Sequence, residues 1–208
     1  MQAPTEDLST EEKIKEAARK IFLQKGFAGT KIRDIAEEAN INIALMNYYF
    51  RSKEKLFEAI FQEALYELLG KTLQILNDTN LSFEGKIRAV VANDMAVMRK
   101  NPLLPSFVFA EIHTHVEKIV KDFPQIIDTN NLHFAQQHAE GVQLGKYRNI
   151  HIDHIFSMMM GMSIQPFLEK PFWEVQYAGQ DAEKLFEEFI ANHEKIVVEM
   201  LLGYLIIK

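Results

Sequence analysis

The sequence predicts an all-α fold. Apolar residues recur at three- and four-residue spacing through most of the 208 positions, and polar or Gly/Pro clusters interrupt them at intervals suited to ordinary helices. No segment shows the strict alternation of a half-buried strand.

The first helix opens at Ser9, which forms a capping box with Glu12, and carries the stripe Ile14, Ala17, Ala18, Ile21 and Phe22. Gly26 is placed to stop it, with Phe27 folding back onto the core. Thr30 then reads as the N-cap of a second helix whose narrow apolar face is Ile32, Ile35, Ala36 and Ala39. Asn40 suits the left-handed turn that ends it, Ile41 plugs the turn, and Asn42 caps a third helix over 43–49. A connection of about three residues forces two such helices to cross steeply, which is the sequence form of a helix-turn-helix. A fourth helix begins near Ser52 and runs to about Leu76, long enough to brace the first three, which are too small to be stable alone.

A helical wheel divides the third helix. Met46 and Phe50, with Tyr49 beside them, face the first two helices; Ala44, Leu45, Asn47 and Tyr48 point outward, and Ile43 is intermediate. Outward Leu45 beside Ile43 suits thymine methyl groups, and Asn47 suits the N6 and N7 of adenine, so A·T-containing half-sites are expected. Asn42 completes the groove-facing set at the start of the helix. Thr30, Lys31, Arg33, Tyr48, Tyr49 and Lys53 are the candidates for phosphate contacts that fix register without reading bases.

From Ser9 to about Phe61 the chain resembles the N-terminal domain of the TetR family of bacterial transcription regulators. The resemblance rests on Ala17, Ala18, Phe22, Gly26-Phe27, Thr30, Ile35-Ala36, Ala39, Ile41, Tyr49-Phe50 and Ser52-Lys53-Glu54-Lys55-Leu56. It implies a DNA-binding domain over 1–55, with the helix-turn-helix at about 31–50, and a helical ligand-binding and dimerisation domain over 56–208. It also implies phosphate contacts from the Thr, Tyr and Lys of the motif. The function it implies is a homodimeric regulator, a repressor, that binds a palindromic double-stranded DNA operator and is released by a small apolar ligand. Two positions depart from the family's habit: Asn40 stands where Gly is common, and Ile43 and Leu45 stand where small or polar residues are usual.

Charge agrees once the chain is divided. The formal net charge is −6, but residues 1–55 hold 10 Lys and Arg against 9 Asp and Glu, and the remainder holds 13 against 20. A near-neutral head binds DNA only if its cations cluster, with an affinity sensitive to salt. There is no cysteine, hence no disulfide, thiolate nucleophile or Cys-based zinc site. The N-terminal MQAPTEDLST is unlike a signal peptide, and the most apolar run, 196–207, is broken by Glu199 and too short to span a bilayer, so a cytoplasmic protein without membrane attachment is expected.

Beyond the fourth helix, breaks at 77–80, 101–105, Phe123-Pro124, 145–149 and 169–179 leave helices at about 82–100, 103–121, 125–142, 151–168 and 181–206. The last is apolar nearly all round and needs cover on both sides. Together with the preceding helix it supplies the expected dimer interface: Met160, Gly161, Ile164, Phe189, Ile196, Val197, Met200, Leu201 and Tyr204. Phe107, Phe109, Phe134, Phe156, Met159, Phe167 and Trp173 form the candidate ligand pocket. No catalytic residues, cofactor or metal are expected. His113 and His115 diverge on a helix, His133 and His138 are poorly spaced, and no nucleophile–base pair appears. The alternative to a regulator is a helical adaptor that keeps the fold without binding DNA.

Overall fold

The computed structural model describes residues 9–122 and 129–207, and these are helical throughout apart from turns and one isolated bridge between Tyr147 and Ile206. The chain divides into two compact units between Leu65 and Tyr66.

The first unit holds α1 (Thr10–Gly29), α2 (Ile32–Glu38), α3 (Ile43–Phe50) and the first turns of α4 (Lys53–Asn77). The unit closes ten residues later than position 55 because Leu56, Phe57, Ile60 and Phe61 are part of its core. The Phe57 ring stands edge-on to both Phe22 and Phe27, each at 4.9 Å. The capping box of α1 is made in both directions, Glu12 N–H to Ser9 Oγ at 3.3 Å and Ser9 N–H to Glu12 Oε2 at 2.9 Å. At Gly26 the backbone leaves helical geometry with φ +65°, so this glycine is the break the sequence indicates. Thr30 behaves otherwise than expected. Its hydroxyl donates to Gly26 O at 2.7 Å and its amide to Phe27 O at 3.3 Å, so it closes α1, and Lys31 caps α2 without a side-chain bond.

The second unit holds the rest of α4 with α5 (Phe83–Lys100), α6 (Leu104–Asp122), α7 (His133–Gln143), α8 (Ile152–Gln176) and α9 (Ala182–Leu205). A short 3₁₀ turn, Thr129–Asn131, precedes α7. The expected break at Phe123-Pro124 and the expected helix start at 125 lie outside the described residues; within them the helix begins at His133.

The other difference is at α8, which runs to Gln176 through Pro166 and Pro171 instead of ending at 168. Proline removes the amide that would bond the carbonyl four residues back. Here the carbonyl of Met162 accepts instead from His193 Nε2 of α9, at 2.9 Å. Phe167 and Trp173 then pack on Phe186, with ring centroids 5.7 and 5.9 Å away, and hold the helix beyond its first proline.

Two buried polar groups brace α4 and α5. Lys86, fully buried, donates to Leu76 O at 2.9 Å and lies 2.8 Å from His133 Nδ1. Burial pushes its ammonium below the usual lysine range, with Asp78 opposing. Asp94 accepts from the Thr72 hydroxyl at 2.7 Å, yet burial pushes its carboxyl up to about 6 against the help of Thr72 and Asn93. A carboxyl raised on folding contributes stability at low pH that is lost as pH climbs from its ordinary value near 3.8 through about 6.

Asp94→Asn keeps an oxygen for Thr72 and removes the buried charge. It is expected to raise unfolding free energy at pH 7 by on the order of 2 kcal/mol, with the gain shrinking toward zero near pH 4. Denaturant titrations of both proteins at the two pH values check this; a gap independent of pH would refute it.

Candidate nucleic-acid interface

The turn between α2 and α3 is built from three local devices. Asn40 takes φ +54°, a conformation asparagine tolerates better than other side chains. The amide of half-buried Ile41 returns to Ala36 O at 3.0 Å, and Asn42 Oδ1 accepts from Leu45 N–H at 2.7 Å, starting α3.

Met46 anchors the inner side of α3 and is 2% exposed. Ile43, Ala44, Asn47 and Tyr48 are exposed and lie on one continuous arc of the helix, Tyr48 at 78%. Three residues differ from the helical wheel. Leu45, expected outward, is half-buried; Ile43, expected intermediate, is exposed; Tyr49, expected inward, is exposed. A two-turn helix has different neighbours at its two ends, so a wheel drawn for a uniform cylinder misplaces residues at the edge of the buried face. Tyr49 is also turned against the Tyr48 ring, 5.4 Å away at 88°.

Some cations of this unit are paired and others are not. Lys15, Lys20 and Lys25 are neutralised by Glu63, Glu38 and Asp34 at 2.9, 2.6 and 2.9 Å. The Lys25 ammonium holds the Asp34 carboxyl below the usual carboxylate range. Lys31, Arg33, Arg51 and Lys55 make no ion pair among the described residues. Lys53 places its ammonium 4.2 Å from the centroid of the Phe27 ring. Thr30 is 2% exposed and its hydroxyl is engaged with Gly26, so its side chain is withdrawn from the surface. Unpaired charge therefore remains before and within α2 and just after α3. Arg51 and Lys55 are not among the phosphate contacts expected from the sequence, because nothing in a sequence says which lysines and arginines find acids.

In the second unit, the aromatic residues expected in a ligand pocket fall in more than one cluster. Phe134 stacks on Phe83 at 4.6 Å and meets Phe156 edge-on at 5.7 Å, whereas Phe167 and Trp173 surround Phe186. Phe156 and Phe167 are eleven residues apart on α8, roughly 16 Å. Phe107 and Met159 are buried, while Phe109 is 37% exposed. His133 and His138 bond to Lys86 and to Arg148 O, and no three His, Asp or Glu residues converge on a metal position among the described residues.

The expected dimer set also divides. Val197, Leu201 and Ile164 are 1, 1 and 7% exposed and fill the unit's own core, so they are removed from it. Met160 and Phe189 are half-buried. Ile196, Met200 and Tyr204 stand 46, 56 and 49% exposed at four-residue spacing on one side of α9. On α8, Gly161 is open, and Leu168, Phe172 and Val175 are exposed apolar residues that the sequence does not single out. No helix of the described residues is long and apolar enough to cross a membrane.

Residues 14–60 match the family described as bacterial regulatory proteins, tetR family. Over its length the chain is similar to a probable HTH-type transcriptional regulator, YttP, of Bacillus subtilis (strain 168), 28% identical over 191 residues, which are 91% of this chain and 92% of that one. It is 24% identical over 160 residues to the HTH-type transcriptional repressor KstR2 of Mycolicibacterium smegmatis, covering 74% of this chain and 75% of that one. Among solved structures, HlyIIR, a hemolysin II transcriptional regulator, shares the fold with a TM-score of 0.62 at 23% identity, over 96% of this chain and 98% of that chain. A TetR family transcription regulator from Marinobacter aquaeolei VT8 does so with a TM-score of 0.67 at 14% identity, over 96% of each.

Proposed function

Because the chain belongs to the TetR family of bacterial transcription regulators, we propose that it is a homodimeric repressor whose two heads read a palindromic operator. The observation that carries this is the exposed arc of α3 set between unpaired cations. Asn47, Tyr48, Ile43 and Ala44 enter the major groove, and Lys31, Arg33, Tyr49 and Lys53 hold phosphates. Asn42 and Leu45 contribute at the margin of that arc. Two heads on successive turns of one DNA face sit about 34–36 Å apart, which a dimer supplies and a monomer cannot.

The second copy covers the apolar side of α8 and α9, centred on Ile196, Met200 and Tyr204. A small apolar ligand in the second unit releases the operator by favouring a different head spacing; a ligand binding both spacings equally releases nothing. Repression is the reading favoured by the relatives named as repressors.

Gel retardation with the chain's own upstream region at low salt tests the reading, and footprinting tests its two-fold symmetry. A protein that retards none of these fragments is the adaptor instead. For the dimer, Met200→Glu places a charge in the proposed interface. Sedimentation should show this variant as a folded monomer, with operator binding reduced at least tenfold. A Met200→Glu protein that remains dimeric would remove α9 from the interface.

A further inference from the structure

Arg51 lies between the last residue of α3 and the start of α4 in a backbone conformation that arginine rarely adopts. Its φ is +57° and its ψ −37°. Ser52 N–H donates to Phe50 O at 2.5 Å across it, the bond of a three-residue γ-turn, and the positive-φ form of that turn is strained for any residue with a Cβ. The Arg51 amide donates to Asn47 O at 3.0 Å, closing α3, while Ser52 Oγ accepts from Lys55 N–H at 3.3 Å and opens α4. The Arg51 amide and its neighbours thus join two helices, and glycine would join them without strain.

The side chain is exposed and, among the described residues, makes no ion pair. A strained position held by a charged residue that makes no ion pair among the described residues points to a use outside the molecule. Arg51 is exposed and directly follows α3, so it stands at the edge of the surface proposed to enter the groove. Phosphates line that edge, and a planar fork of donors matches two phosphate oxygens at once.

We propose that Arg51 is a DNA-phosphate contact that sets the position of α3 in the groove. The proposal rests on the DNA-binding reading of α3.

The test uses the full-length protein and a DNA fragment that it retards. Arg51→Gly removes the guanidinium and the strain together, so its melting temperature should equal or exceed that of the unsubstituted protein. Its affinity should fall about tenfold, and the slope of log K against log salt should flatten by about 0.9, one phosphate's worth. The loss should be the same for the operator and its base-pair variants. Arg51→Asn, which tolerates positive φ without charge, should behave alike, and Arg51→Lys should restore the slope with only part of the affinity.

Unchanged affinity and slope in Arg51→Gly would reduce Arg51 to a turn residue. A loss confined to one base pair would make it a base reader instead and overturn the phosphate assignment. Failure of the unsubstituted protein to bind DNA at low salt would overturn the reading of α3 itself, a result visible before any variant is made.

Discussion

Replacing Asn47 and Tyr48 together by alanine is expected to weaken operator binding about a hundredfold and to leave the helical content and the dimer unchanged. Both side chains are exposed, and Tyr48 is 78% so. The Tyr48 ring rests on the edge of Tyr49 at the surface, so truncation leaves no cavity and no orphaned buried group. Alanine is also the better helix former, which offsets the small packing energy of the two rings. A good base contact is worth about 1–3 kcal/mol, and about 1.4 kcal/mol is tenfold, so two contacts of middling strength carry roughly a hundredfold or more, and two weak ones about thirtyfold. Fluorescence anisotropy with a labelled operator measures the loss, and circular dichroism and sedimentation report the fold and the assembly. Selection from random DNA should return A·T-containing half-sites for the parent protein. Unchanged binding by the double variant would move the reading surface off α3.

The head is legible in the sequence because its devices are local. The Ser9–Glu12 box, the positive φ at Gly26 and Asn40, and the Asn42 cap each involve residues within about four positions, where spacing and side-chain chemistry decide the geometry. Thr30 marks the limit of such local rules. A threonine before a helix reads as its N-cap, but here the hydroxyl donates to Gly26 O instead. Both outcomes use the same local bond chemistry, and only the path of the chain after Gly26 distinguishes them.

In the second unit the information lies across helices. The expected helix ends at 168 and the expected break at 169–179 holds Pro171, yet α8 runs to Gln176; at Pro166, inside the expected helix, His193, twenty-seven positions on, takes the carbonyl that the proline leaves free. Lys86 is among the most buried side chains and holds a C-terminal carbonyl of α4, and nothing in its local sequence marks it as buried. The aromatic residues are plentiful, as their composition indicates, but composition does not say that they form two clusters. The apolar stripe of α9 is visible in sequence. Its division into a core side (Val197, Leu201) and an open side (Ile196, Met200, Tyr204) follows only from what α5 and α8 cover.

Gly141→Ala is expected to destabilise the second unit by roughly 3 kcal/mol. After α7 the chain turns back, and the amides of Lys146 and Tyr147 both reach Gly141 O, at 2.8 and 3.3 Å. This lays the Tyr147 ring over the glycine, where an added Cβ would lie 2.0 Å from Cδ2 and 2.2 Å from Cε2. The ring has little room to yield. It packs on Phe83 at 4.6 Å, its hydroxyl donates to Glu84 Oε1 at 2.5 Å, and the following residues are pinned to α9 by Arg148 N–H to Leu205 O at 2.8 Å.

Overpacking of this kind costs about 1–3 kcal/mol, and losing a bond to a carboxylate about 1.5–3 more, against about 1 kcal/mol gained by alanine in a helix. The same substitution in a Tyr147→Ala background meets no ring and should be neutral or slightly stabilising, so the double-mutant cycle isolates the clash. A Gly141→Ala protein as stable as its parent would mean that the ring can leave α7 without loss. In that case the glycine is not what seats this loop against the end of α9.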